Sequence, residues 1–289
     1  MKKVVRQVRP WLALALLGLV AASSSCGTTQ QEEEQPGAQS DEGDTTTAAA
    51  TTSTTTRAAA PTETTRAAAP TTSRAVEEYT ATMEGDQADV ETDAALIAAA
   101  ERGDEEAVRQ MLEEGADVAA RDASGRTALV AAAYGNYLGP AEALIEAGAD
   151  VNAKDQTVQS AYLISTSEVG DDPRLLELTL RNGADIGSLD SYNGTGLIRA
   201  ADRGHVRIVE ELLKTETDVD HVNNLAWTAL LEAIILGEGD ARHTEVVRLL
   251  VEGGADPDLP DGDGVTPLQH AEQRGYFEMA EILRGAGAR

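Results

Sequence analysis

Apolar residues recur in pairs one helical turn apart through the second half of the chain. Three such segments stand out: Ile208-Val209 with Leu212-Leu213, Val246-Val247 with Leu250-Val251, and Leu175-Leu176 with Thr179-Leu180. This spacing places the apolar side chains on one face of a helix. It predicts short amphipathic helices that each bury a single face.

A period of about 33 residues orders these helices. Gly-Ala-Asp recurs at Gly115, Gly148, Gly183 and Gly254, and a truncated Gly-Ala ends the chain at Gly287. A second series keeps step with the first: Thr127-Ala128-Leu129, Ser160-Ala161-Tyr162, Thr195-Gly196-Leu197, Thr228-Ala229-Leu230 and Thr266-Pro267-Leu268. Such self-similarity is typical of repeat proteins, in which neighbouring units complete one another's core.

The repeated unit resembles the ankyrin repeat. The matching segments are TPLQHA from Thr266, GHVRIVEELL from Gly204 and GADVNAK from Gly148. The resemblance covers residues 93–289 as about six units, the first without its turn. It implies an all-α ankyrin-repeat solenoid of helix-turn-helix units with β-turn tips. Thr then caps the first helix of a unit, and Gly takes the left-handed position that ends the second.

Some units depart from the repeated pattern. Glu216 stands where other units have the helix-ending Gly, and Val158 and Ala226 replace turn glycines. A left-handed conformation at a non-glycine residue costs on the order of 1 kcal/mol. Two units are also longer than the period, and we expect their extra residues in loops after the first helices, at 167–172 and 237–243.

The start of the chain has the pattern of an export signal. Lys2, Lys3, Arg6 and Arg9 precede an apolar run over 11–22, which ends in three serines and Cys26. The run is shorter than the roughly 20 residues of a membrane-spanning helix. Residues 1–25 are therefore predicted to be a signal peptide.

Cys26 is the candidate anchor of the mature chain. The sequence Ser23-Ser24-Ser25-Cys26-Gly27 resembles a bacterial lipobox, which implies lipidation of Cys26 and an extracytoplasmic protein held at the cell membrane by lipid alone. Because Ser23 stands where lipoboxes usually carry Leu, ordinary cleavage near Ala22 and secretion stay an alternative.

Residues 26–92 form a candidate stalk. After the cysteine the composition is Thr, Ala, Ser, Pro and Glu, with TTRAAAPT at 55–62 and again at 64–71. Such a segment has little apolar surface to bury, which predicts disorder. The proposed organisation is a signal peptide, a lipidated stalk and an ankyrin-repeat domain from residue 93.

Charge and composition limit the partners. Lys and Arg total 23 against 50 Asp and Glu, a formal net charge of −27. This charge repels nucleic-acid phosphates, so nucleic acid is excluded as a partner. The single cysteine cannot form an internal disulfide, and an aromatic fraction of 3% predicts an aliphatic core.

The resemblance implies that turn tips and first helices bind a partner protein on the concave side. Trp227 precedes a helix-capping Thr and is the main candidate anchor, with Asn224 and Leu225 of the same tip and Arg126 of an earlier one. A tip Trp is a common binding anchor. The alternative is that Trp227 folds down over the helix below.

Three polar residues occupy a first-helix slot that is usually apolar. Arg199, Glu232 and His270 follow one another in successive units. Adjacent helices pack about 8 to 10 Å apart, so these side chains are expected to form a ladder. Two interpretations stay open. The row either satisfies itself, as an ion pair with a hydrogen-bonded histidine, or forms a recognition pocket.

No catalytic or metal site is predicted. The only cysteine is the candidate lipidation site, and no serine has a G-x-S-x-G setting. Glu238, Asp240 and His243 lack a metal-site pattern, and the Asp261 segment lacks the glycine of a calcium loop. We therefore expect a monomeric binding protein without cofactor, rather than an enzyme.

The predicted function is a membrane-tethered interaction module for an envelope or exported protein. One alternative is a small-ligand or peptide sensor that uses the row of Arg199, Glu232 and His270. A purely structural spacer is another. The fold alone does not distinguish these functions.

Overall fold

The computed structural model describes residues 90–289, in which twelve helices form six successive pairs. Helix α1 is described over residues 90–102, so helical structure includes residues before the predicted boundary at 93. The others are α2 (Glu105–Glu113), α3 (Ala128–Tyr134), α4 (Leu138–Glu146), α5 (Ala161–Ser167), α6 (Arg174–Arg181), α7 (Gly196–Arg203), α8 (Val206–Leu213), α9 (Ala229–Ile235), α10 (Ala241–Glu252), α11 (Pro267–Arg274) and α12 (Phe277–Gly285). The signal peptide, Cys26 and the stalk lie outside the described residues.

The pairs are stacked in two layers. The first helices α3, α5, α7, α9 and α11 contact one another in order, and second helices such as α8, α10 and α12 pack behind them. Each unit, numbered one to six in chain order, thus completes its core against its neighbours. The prediction of an all-α ankyrin-repeat solenoid is confirmed.

Hydroxyl side chains begin the first helices. The caps are Thr127, Ser160, Thr195, Thr228 and Thr266, and each accepts a hydrogen bond from a backbone N–H three residues later. These bonds satisfy donors that a helix leaves unpaired at its start. The second sequence series therefore marks helix starts, as predicted.

The core is built from aliphatic and small side chains. Ala132 and Ala133 in α3 and Ala200 and Ala201 in α7 are fully buried, together with branched residues of both layers. Among the largest fully buried side chains of residues 90–289, Tyr162 is aromatic and the others are Leu or Ile. Small residues let neighbouring first helices approach closely, which explains why alanine recurs at these positions.

The glycines of the first series end the second helices. Gly115, Gly148, Gly183 and Gly254 all have φ between 83° and 96°. Among residues 90–289, positive φ outside glycine is limited to Asn136, Val158, Asn193 and Ala226, so the expected strain at Glu216 was wrong. The chain there ends α8 differently, because the Thr215 hydroxyl donates to the Leu212 carbonyl at 2.6 Å.

Val158 and Ala226 adopt the predicted left-handed conformation. Their φ angles are 64° and 59°, close to the 74° and 78° of Gly125 and Gly264 at the same turn position. The β-carbons of Val158 and Ala226 therefore lie in a region that costs on the order of 1 kcal/mol. Two tips keep the shared turn geometry despite this strain.

The longer units carry their extra residues where predicted, with one correction. Residues 168–173 separate α5 from α6, and residues 236–240 separate α9 from α10. His243 is not in the second loop, because Asp240 accepts a hydrogen bond from the His243 N–H at 2.9 Å and begins α10 there. The extra residues of unit five thus extend a helix as well as a loop.

The loop of unit three caps a helix of unit four. Helix α8 is preceded by His205, whose side chain makes no capping hydrogen bond. Asp171 Oδ1 instead accepts hydrogen bonds from the backbone N–H groups of Arg207 at 2.8 Å and Ile208 at 3.1 Å. The insertion therefore stabilises the start of α8 across a unit boundary.

Candidate functional site

Each turn tip is folded around one carboxylate or amide. The residues are Asp122, Asp155, Asp190, Asn223 and Asp261, and each accepts hydrogen bonds from the backbone N–H groups two and four residues later. The ten bonds measure 2.7 to 3.1 Å. One side chain thus fixes the whole turn, as Asx turns do elsewhere.

Neighbouring tips are also bonded to one another. The Lys154 ammonium donates to the Leu189 carbonyl at 2.7 Å, and the Asn224 N–H donates to the Tyr192 carbonyl at 2.9 Å. His221 Nε2 lies 2.8 Å from the Asn193 carbonyl oxygen. The tips therefore form a bonded row beside the first helices, and this row is preorganised for contact with another molecule.

The three residues of the polar row bond to the tips. Each lies nine residues after its own tip residue, and the pairs are Arg199 Nη1 with Asp190 Oδ2 at 3.1 Å, Glu232 Oε1 with Asn223 Nδ2 at 2.7 Å, and His270 Nε2 with Asp261 Oδ2 at 2.7 Å. Arg199 also donates to Ser167 Oγ at 2.6 Å. Each residue of the row thus bonds to its own tip, and Arg199 also bonds to the preceding unit. The expected ladder, in which the three side chains would bond to one another, is not formed.

Burial separates this row from the surface. Arg199 and Glu232 are 2% and 1% exposed, and His270 is partly buried. Neither Arg199 nor Glu232 is therefore accessible to a partner in this conformation. Their predicted role in binding a partner stays a prediction, but the structure gives both side chains a role in holding a tip against its first helix.

The Glu232 carboxyl is the single acid of the polar row, and its pKa is strongly raised. Burial raises this pKa to about 8, and the negative charge of Asp202 raises it further. The bond from Asn223 lowers it, and the negative charge of Asp190 has a smaller raising effect. Glu232 is therefore largely protonated at neutral pH. The Oε2 atom is buried without a hydrogen-bond partner in the structure, whereas Oε1 accepts from Asn223.

The fifth tip presents the predicted surface residues. Trp227 is partly buried, and its backbone N–H is held by Asn223 Oδ1 at 3.1 Å. Asn224 and Leu225 are exposed, and Leu225 leaves 42% of its surface open. Asn224 and Leu225 thus lie where a partner can contact them, with Trp227 beside them on the same tip.

Arg126 on the tip of unit two is already engaged. Its guanidinium contacts the Asp122 carboxylate at 2.7 Å and the Glu101 carboxylate at 3.1 Å. Its side chain is 26% exposed. Arg126 therefore links the second tip to α1, and its remaining surface is smaller than the sequence pattern indicated.

The sequence analysis did not identify two apolar residues at the end of α9. Ile235 ends α9 and Leu236 follows it, and both are partly exposed. The corresponding positions of units three, four and six are polar: Ser167 and Glu168, Asp202 and Arg203, Gln273 and Arg274. Comparing this helix end across the units would have revealed the apolar pair.

Two histidines have internal roles. His205 Nδ1 lies 3.2 Å from the Thr166 carbonyl oxygen, and burial lowers the pKa of this side chain. His243 lies between the Asp202 carbonyl oxygen at 3.1 Å and the Asp240 carboxylate at 3.0 Å. No group of three or more His, Cys, Asp or Glu side chains within residues 90–289 is arranged to hold a metal ion.

None of the helices within residues 90–289 has both the length and the apolar character needed to cross a bilayer.

Comparison with known proteins gives consistent matches over these residues. A family model described as ankyrin repeats (3 copies) matches residues 66–155 and 163–261. The putative ankyrin repeat protein YahD of Escherichia coli K12 is 40% identical over 193 residues, which cover 66% of this chain and 95% of that protein.

Solved structures extend these matches to three dimensions. An ankyrin repeat domain from Acinetobacter baumannii AYE is 47% identical, with a TM-score of 0.63 over 67% of this chain and 98% of that one. The ankyrin repeat protein EF0377 is 34% identical, with a TM-score of 0.62 over 66% of this chain and 97% of that one. Both solved chains are therefore covered almost completely.

Proposed function

The chain belongs to the ankyrin-repeat family, and on this premise we propose that it is a membrane-tethered module that binds an envelope or exported protein. Ankyrin repeats generally mediate protein–protein interaction. The observation that carries the proposal is the bonded row of tips beside the first helices, because it is rigid and carries exposed side chains. Rigid surfaces bind at a lower entropic cost than mobile ones.

The burial of the polar row favours a protein partner over a small charged solute. Arg199 and Glu232 are buried and bonded to Asp190 and Asn223 of their tips. A small ligand would have to displace those bonds before it contacted the Arg199 guanidinium or the Glu232 carboxyl group. A protein partner would contact the tips themselves, where Asn224 and Leu225 are exposed.

A site-specific photo-cross-linker tests the binding face in intact cells. Placed at Asn224 on the fifth tip, it should give a discrete adduct with another protein. Glu210 is exposed on α8, in the second-helix layer, and provides the matched control position. Adducts of equal yield at Asn224 and Glu210, or no adduct from any tip position, would contradict the proposal.

Tethering through Cys26 is the second part of the proposal. It rests on the lipobox-like sequence after the apolar run, and Cys26 lies outside the described residues. Cys26→Ser should move the protein from the membrane fraction to the soluble fraction. A variant that stays in the membrane fraction, or a mature chain that starts elsewhere than residue 26, would exclude the lipid anchor.

A further inference from the structure

We propose that unit five binds a partner segment in which a large apolar side chain is flanked by Lys or Arg. The contact surface is the unit-five stripe, which consists of Val222, Leu225, Trp227, Ile235 and Leu236. This inference rests on the proposed protein-binding function and specifies where on the stack the partner is bound and by what chemistry.

The five residues of the unit-five stripe expose apolar surface at two places in the unit. Val222 and Leu225 are each 42% exposed on the fifth tip, and Trp227 is partly exposed where that tip meets α9. Ile235 and Leu236 are partly exposed at the other end of α9. One unit therefore offers apolar surface at both ends of its first helix.

The fifth tip holds its apolar residues in fixed positions. Asn223 Oδ1 accepts from the N–H groups of Leu225 and Trp227 at 2.9 and 3.1 Å. The Val222 carbonyl accepts from Asn193 Nδ2 of the fourth tip at 3.3 Å. An anchor that is ordered before binding loses little conformational entropy when a partner arrives.

The negative charge of units five and six favours basic residues on both sides of the partner's apolar side chain. Residues 215–241 contain no Lys or Arg and six Asp or Glu, of which all but the buried and largely protonated Glu232 contribute negative charge. Residues 253–273 contain five acidic residues and again no Lys or Arg. These ranges include the tips of units five and six. Exposed carboxylates such as Glu238 and Asp263 therefore lie in the unit that carries the stripe and in the unit beside it.

The opposite end of the stack provides a contrast within the same chain. The tip of unit two, residues 117–126, has two Asp balanced by Arg121 and Arg126, and the tip of unit three carries Lys154. The acidic excess is thus concentrated towards the C-terminal tips. A basic segment would be attracted there, and an acidic segment would be repelled.

Four pools of short synthetic peptides test the assignment against the purified full chain. One pool has a Leu, Phe or Trp centre with Lys or Arg flanks, and the others replace the flanks by Asp or Glu, the flanks by Ser and Gly, or the centre by Ala. Fluorescence polarisation should show at least about tenfold tighter binding for the first pool, weakening as salt rises. Equal binding of all pools, or no binding of the first, would overturn the proposal.

Two stripe variants and one control locate the binding. Trp227→Ala and Leu236→Ser should each weaken the first pool by about thirtyfold if they remove anchors. Phe277→Ala removes an exposed aromatic side chain at the start of α12, in the second-helix layer, and should leave affinity unchanged. Circular dichroism must first show that each variant folds. Two folded stripe variants that bind as tightly as the parent would refute the assignment.

The cellular cross-linking experiment separates this inference from the proposed function. An adduct that forms from Asn224 and survives both stripe variants would leave protein binding in place and exclude the stripe as its anchor. Analytical ultracentrifugation completes the test. A concentration-dependent dimer that Leu236→Ser abolishes would assign the stripe to a second copy of the chain, and would overturn the basic partner segment.

Discussion

The Asp190 carboxylate accepts a hydrogen bond from the Arg199 guanidinium at 3.1 Å, and both side chains are almost completely withdrawn from water. Asp190 also accepts the two backbone bonds that fold the fourth tip. The same carboxylate therefore shapes the turn and compensates a buried cation. Because burial of a single charge is costly, the two residues depend on each other.

Removal of Arg199 alone should destabilise the stack strongly. Arg199→Ile leaves Asp190 buried without its cation, and loss of one partner of a buried pair typically costs about 3 to 5 kcal/mol. Urea unfolding of the parent and the variant measures the difference.

A double variant provides the control for this prediction. Asp190→Asn combined with Arg199→Ile copies the amide of Asn223 and the apolar Ile164 found at these positions in other units. It should be clearly more stable than Arg199→Ile alone. If the double variant is the less stable of the two, the cost does not come from an unpaired carboxylate.

Glu232 should make the protein lose stability as pH rises. Its folded-state pKa of about 8 is above the ordinary value of 4.5, so the folded state holds the proton more tightly than the unfolded state. The associated stability is complete below pH 4.5 and is lost progressively up to about pH 8. The slope within this window is at most about 1.4 kcal/mol per pH unit.

Glu232→Gln tests this dependence, because it keeps an oxygen for the Asn223 bond and cannot ionise. The free energy of unfolding of the variant should rise relative to that of the parent as pH rises from 5 to 8. Below pH 4.5 the two free energies should change with pH in nearly the same way. Subtracting the two profiles removes the contribution of other groups such as His205. Parallel profiles between pH 5 and 8 would show that Glu232 does not titrate in this range.

Asp171→Ala should weaken the start of α8. The variant removes the oxygen that accepts from the Arg207 and Ile208 N–H groups, and loss of a helix cap typically costs about 1 kcal/mol. Hydrogen exchange should show faster exchange of the backbone amides first at the start of α8. Asp172→Ala is the neighbouring control, since the Asp172 carboxylate accepts from the Arg174 guanidinium and, at 3.2 Å, from the Arg174 backbone N–H at the start of α6. An equal loss of protection at the start of α8 in the two variants would argue against capping by Asp171.

Val158→Gly should stabilise the protein by about 1 kcal/mol, because glycine adopts positive φ without steric cost. Thermal unfolding provides the measurement. Gly264→Val, at the corresponding position of the sixth tip, should lose a similar amount of stability, because a β-carbon there meets no atom within 4 Å and only the backbone strain is added. A variant of Val158 that is less stable than the parent would mean that contacts of the valine side chain outweigh its backbone strain.

The repeated pattern made the helices and the tips predictable. Thr and Ser caps, apolar pairs and Gly-Ala-Asp all act over a few residues, so local sequence is enough to locate them. The same reasoning failed at Glu216, since it assumed that every unit ends its second helix in one way. Thr215 supplies an alternative ending through its hydroxyl, which the alignment of glycines concealed.

The surface was harder to predict than the fold. Sequence placed Arg199 and Glu232 on first helices correctly, but only the structure shows that both are buried and bonded to their tips. The bond between residues nine apart depends on how a tip folds back over its helix, and spacing alone does not specify that contact. Ile235 and Leu236 were overlooked because the family pattern draws attention to the start of the first helix and not to its end.

Asp171 also limits how such an array can be rearranged in evolution. Repeat proteins gain and lose units by recombination, which works most easily when each unit carries everything that it needs. Here the carboxylate that starts α8 is encoded in unit three, so a deletion of unit three would also leave the next unit without its cap. Units three and four are therefore expected to be inherited together, as one evolutionary block within an otherwise exchangeable series.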